Sequence, residues 1–173
     1  MPPLRFPVAV IMQRTPLTNR WADESWGAIA VEMDDTAIAS VERIENQGDA
    51  MRWRCRGHEV ELHPVEAEGY YLNLSTTDPT VFVLWRMAEP GEDAESEPRG
   101  RPLIVTLSYS EAARFLDAGE QVDAVPIPAP LRAELERFVA THYRPEPRKK
   151  QKRNELYEGD AVRKREAAEG RGR

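Results

Sequence analysis

The chain has 173 residues, 40% hydrophobic and 31% charged, with 14 prolines and a formal net charge of −6. That length supports one domain with a real core and is too short for two ordinary ones. A single cysteine, Cys55, excludes an internal disulfide framework and suits a reducing compartment, and no stretch approaches the roughly 18 apolar residues that span a bilayer.

Arg5 is followed only by the short apolar run 8–12 before Gln13 and Arg14, unlike the long apolar core of a secretory signal. A soluble, cytoplasmic protein without membrane attachment is the expectation. The charge is uneven: residues 144–173 hold 11 Lys or Arg against 6 Asp or Glu, whereas the first 143 hold 13 against 24. An acidic body therefore carries a basic tail.

In chain order, Val8, Val10 and Met12 alternate with Ala9 and Ile11, so both faces are apolar and a strand buried on both sides is predicted. After it comes a polar and aromatic loop with Pro16 and Asn19 for turn geometry, Arg14 and Arg20 for charge, and Trp21 and Trp26 for large flat apolar area. A second strand is predicted over 26–33. Residues 34–49 fit either a helix, with Ala37, Ile38, Val41 and Ile44 on one face, or a short strand before the turn Asn46-Gln47-Gly48-Asp49.

Residues 51–63 predict a hairpin. Met51, Trp53 and Cys55 alternate with Arg52, Arg54 and Arg56; beyond Gly57-His58, Val60 and Leu62 alternate with Glu59, Glu61 and His63. A two-residue loop at Gly57-His58 would set Cys55 against Val60, Arg56 against Glu59 and Arg54 against Glu61. Further strands are predicted at 70–75, 80–87, 103–109 and 122–127, with a solvated loop over 89–101. Ser110 is the expected cap of a short helix, 111–118, that Gly119 ends. In the last helix Leu131, Leu135, Phe138, Val139 and His142 form one stripe able to lie on the sheet.

The fold class is therefore α+β: a mainly antiparallel barrel or sandwich of about seven to eight strands with a short helix and a longer C-terminal helix. The domain is expected to occupy 1–143. Residues 144–173 have too few apolar side chains to offset the entropy of ordering and are expected to be a disordered basic tail.

Catalytic signatures are absent. The serines lie in no Gly-x-Ser-x-Gly elbow, and there is no glycine-rich phosphate loop. Cys55, His58 and His63 diverge on the expected hairpin, so no metal site and no cofactor are predicted, and Cys55 is expected to be buried. Arg148, Lys149, Lys150, Lys152 and Arg153 could bind nucleic acid or another polyanion, although without interleaved aromatics to stack on bases. The loop offers a sharper candidate. Arg14, Asn19, Arg20, Trp21 and Trp26 have the composition of a protein-interaction hot spot, with Trp21 either facing a partner or folding down to cap its own sheet.

The segment Val8-Ala9-Val10-Ile11-Met12-Gln13-Arg14, followed by Pro16-Leu17, Asn19-Arg20-Trp21 and Trp26, resembles the opening of the bacterial domain of unknown function numbered 3305. Ser108-Tyr109-Ser110-Glu111-Ala112-Ala113-Arg114, Val125-Pro126-Ile127-Pro128 and His142-Tyr143-Arg144-Pro145-Glu146-Pro147 are similar to that family as well. Its members tend to be encoded near molybdenum-dependent formate dehydrogenase components and their maturation factors. The resemblance thus implies an accessory, non-catalytic role in the assembly, stability or regulation of such an enzyme, with a dehydrogenase subunit or maturation factor as partner. It implies no catalytic residues.

Overall fold

The computed structural model describes residues 2–92 and 96–147. The chain divides into two units, Met1–Tyr143 and Arg144–Arg173, and all the elements below belong to the first. The basic cluster at 148–153 and most of the expected tail lie outside the described residues.

The first four strands are β1 (Leu4–Pro16), β2 (Glu24–Met33), β3 (Ser40–Gln47) and β4 (Ala50–Leu62), in one antiparallel sheet of order β2–β1–β4–β3. β1 is central. Val8, Val10 and Met12 are completely buried on one face, and Ala9 and Ile11 are nearly so on the other, as the doubly apolar run predicts. Ile11 shares its row with Arg54, whose guanidinium reaches Glu32 at 3.0 Å and Glu42 at 2.7 Å, so a ladder of charges flanks the outer apolar strip. The ambiguous stretch 34–49 resolves as strand, because β3 covers the first half of β4 from Ser40 opposite Arg56 to Gln47 opposite Ala50.

The predicted hairpin does not exist. β4 is one unbroken strand, and Gly57, at φ +96°, sits in a β-bulge where two residues of β4 oppose one of β1 between Val8 and Val10. A bulge switches which parity faces the core, and so does a chain reversal: Trp53 and Cys55 point inward before it, Val60 and Leu62 after it. The alternation was legible, while its cause was not. Cys55 accordingly lies beside Val10 and Val41, Arg54 pairs with Glu32 and Glu42, and Arg56 pairs with Asp34 at 2.8 Å.

The second sheet contains β5 (Thr80–Met87), β6 (Gly100–Thr106) and β7 (Gln121–Pro126), antiparallel in the order β6–β5–β7. Val81, Val83 and Trp85 of β5 turn toward the first sheet and join one core with Val8, Val10, Met12, Val60 and Leu62. The expected two-sheet, antiparallel α+β domain is what the chain forms, with seven strands and three helices among the described residues.

The expected strand at 70–75 is instead a helix. Following a 3-10 turn at Pro64–Glu66, α1 (Ala67–Leu74) buries Ala67, Tyr70 and Asn73, a spacing of three that a strand would place on alternate faces. Two side chains fix it. The Tyr70 hydroxyl accepts from the His63 N–H at 3.0 Å and donates to the Glu61 carbonyl at 3.2 Å. The buried Asn73 donates to the carbonyls of Thr80 and Leu107 and accepts from the Thr80 N–H. Five polar backbone groups are thereby satisfied by two side chains.

α2 (Tyr109–Asp117) starts two residues earlier than predicted, because the buried Ser108, not Ser110, accepts from the Glu111 N–H at 3.1 Å. Its end is as expected: the N–H groups of Gly119 and Glu120 return to the carbonyls of Leu116 and Phe115. α3 (Ala129–His142) buries Leu131, Leu135 and Phe138 against the sheets, with the His142 ring 4.3 Å from that of Phe138, as its predicted packing role requires.

Candidate functional site

Residues 17–23 connect the long strands β1 and β2. The Leu17 N–H donates to the Asp23 carbonyl at 2.8 Å and closes the base of the loop. Inside it, the Asn19 side-chain oxygen accepts from the N–H groups of Trp21 at 3.0 Å and Ala22 at 2.9 Å. This Asx turn satisfies the tip's backbone locally, so the tip needs no support from the body of the domain. Arg20 and Trp21 are both exposed at that tip, and Trp21 is 92% exposed. The alternative in which Trp21 folds down to cap its own sheet is therefore not realised.

The other two predicted loop residues lie elsewhere. Trp26 is within β2, half-buried, its ring stacked on Trp53 with centroids 5.2 Å apart, and it packs against the core. Arg14 is at the end of β1, opposite Trp26 in register, where it bonds Glu24 and lies 3.2 Å from the Met51 sulfur. Glu24 also accepts from Trp26 Nε1 at 3.0 Å and faces Arg99 at 3.6 Å. The hydrogen bond from Trp26, then that from Arg14, hold its carboxyl below the ordinary range. Arg14, Glu24 and Trp26 thus form the foot of the loop, while Asn19, Arg20 and Trp21 form its head. The role of Glu24 was missed in the sequence; only the pairing of Arg14 with Trp26 across the strands reveals it.

Beside the foot, an open cleft of about 290 Å³ is lined by Gln13, Thr15, Ser25, Trp26, Gly27 and Asp123, among others. Asp123 of β7 closes its floor. One carboxylate oxygen accepts both from the Ala28 N–H at 2.9 Å, on the outer edge of β2, and from Trp85 Nε1 at 2.8 Å. A Cβ on Gly27 would come within 3.0 Å of that oxygen, so glycine leaves room for the clamp. Asp123 ties one sheet to the other through that one oxygen.

Cys55 is buried and burial pushes its thiol up to about 12, which leaves it unreactive near neutrality. His58 lies across the bulge from it on the same strand, with burial lowering its pKa, and His63 bonds Glu61 at 2.8 Å. Among the described residues, no group of three or more His, Cys, Asp or Glu side chains is placed to hold a metal ion. Nor is any helix among them long and apolar enough to cross a membrane.

The family model described as "Protein of unknown function (DUF3305)" matches residues 7–152, and the chain belongs to that family. No curated protein matches the chain, and no solved structure does.

Proposed function

We propose that this member of the family is a non-catalytic contact module, accessory to a molybdenum-dependent formate dehydrogenase system in the cytoplasm. The single observation that carries the contact is the state of Trp21. An indole 92% exposed at the tip of a loop braced from within by Asn19 forgoes burial that large aromatics ordinarily take. With Arg20 beside it, the tip offers the two side chains most enriched at the energetic centres of interfaces. The dehydrogenase enters only from what the resemblance to this family implies.

Affinity capture from the native host, using the tagged full chain and its Trp21→Ala variant, tests both parts. Wild type is expected to recover dehydrogenase subunits or a maturation factor, and Trp21→Ala to lose them. Equal recovery by both chains would remove the loop from the account; capture that depends on Trp21 but brings down unrelated proteins would remove the dehydrogenase.

A further inference from the structure

A second surface lies at the opposite end of β1 from the Trp21 loop. Among the described residues β3 covers β4 only as far as Arg56, so residues 58–62 pair with β1 on one side alone, and β6 pairs only with β5. Between these two strands runs a groove. Its wider part, about 370 Å³, is lined by Ala37, Gly57, His58, Leu103 and the two carboxylates Glu59 and Glu61. A narrower part of about 120 Å³ shares Glu59, Glu61, Ile104 and Val105 with it and ends at His63, Thr106 and Glu111.

The lining has two chemistries in sequence. Leu103 and Ile104 are 45% and 39% exposed, an apolar wall open to solvent. Opposite and beyond it stand three carboxylates, Glu59, Glu61 and Glu111. Arg5 reaches the first two only at 3.7 and 3.5 Å, and His63 bonds Glu61. Glu111 accepts a weak bond from the Thr106 hydroxyl at 3.3 Å, and burial, then Glu66, raise its pKa against the smaller opposing pull of Arg114 and His63. The three carboxylates at the narrow end thus outnumber Arg5 and His63, the cations ion-paired with them among the described residues.

We propose that this groove takes an extended segment of a partner protein in which apolar residues alternate with lysine or arginine. An apolar side chain lies on Leu103 and Ile104, and one basic side chain enters the narrow end between Glu61 and Glu111. Six strand residues, 57–62, give the groove a length of roughly 20 Å, enough for about six extended residues. Backbone pairing is confined to the wide part. At the narrow end Tyr70 already holds the Glu61 carbonyl and the His63 N–H, and Pro102 deprives β6 of one donor. Charge complementarity selects the occupant, since an acidic segment would face three carboxylates.

The probe is a fluorescein-labelled heptapeptide of alternating lysine and isoleucine, titrated against the full chain at about 20 mM salt, with fluorescence anisotropy as readout. Saturable binding is expected, at least about tenfold weaker when serine replaces isoleucine, and at least about tenfold weaker for the Glu61→Gln/Glu111→Gln chain. Amide shifts should fall on residues 57–63 and 103–106, and Trp21→Ala should bind the peptide like wild type, separating this groove from the loop. No saturable binding would overturn the proposal. So would affinity indifferent to the isoleucines or to the two carboxylates, or shifts elsewhere. Glutamine at 111 removes an unfavourable charge, so misfolding does not mimic the expected loss, and circular dichroism of the variant confirms its fold.

Discussion

Removing the Asp123 carboxylate is the sharpest test of how the two sheets are held together. In Asp123→Ala, the Ala28 N–H and Trp85 Nε1 lose the acceptor they share at 2.9 and 2.8 Å. Hydrogen bonds to a charged group contribute about 1.5–3 kcal/mol each, offset by the cost of desolvating the carboxylate itself, so a net loss of about 3 kcal/mol is expected. For a domain of this size that lowers the thermal midpoint by roughly 10 °C. Asp123→Asn can place its amide oxygen where the shared oxygen stood and keep both bonds in neutral form, for a loss of about 1 kcal/mol. Urea unfolding followed by tryptophan fluorescence measures both. If Asp123→Ala fell within about 0.5 kcal/mol of wild type, or if alanine and asparagine cost the same, the clamp would not be what joins the sheets.

Gly57→Ala should destabilise the domain by more than about 2 kcal/mol, because the residue sits at φ +96° and a Cβ there would lie 2.5 Å from the Ala39 Cα; a thermal midpoint unchanged from wild type would contradict the bulge. Glu111 has its pKa raised in the folded state, so the native fold loses stability as pH rises from the ordinary carboxyl value through the raised one. Glu111→Gln should therefore be more stable than wild type at pH 7, with the difference vanishing below about pH 4, where both states are protonated. Cys55, its thiol pushed up to about 12 by burial, should give no reaction with a disulfide reagent at pH 8 until denaturant is added, when one thiol per chain appears.

Patterns of local origin were readable in the sequence. The strand β1, the bounds of β5, the stripe on α3 and the glycine that ends α2 follow from period, turn chemistry and caps within a few residues of one another. What was misread depended on partners distant in the chain. Gly57 is as good a hairpin residue as a bulge residue, and only β1 running unbroken alongside decides between them. Tyr70, Leu72 and Leu74 alternate like a strand, yet Asn73 is needed by Thr80 and Leu107, and a helix delivers it. The candidate surface divides in the same way. Asn19, Arg20 and Trp21 were identifiable by composition and their exposure fits a contact, whereas Trp26 packs against the core because it stacks on Trp53, a partner distant in the chain that no local signal indicates.

The most direct measurement on the central claim is the affinity of the purified chain for the protein it captures, compared between wild type and Trp21→Ala by calorimetry. Since Trp21 touches little of its own domain, the substitution should leave the thermal midpoint unchanged. As an interface anchor it should weaken binding by about 30-fold, the equivalent of about 2 kcal/mol. Equal affinities for the two chains would contradict the account.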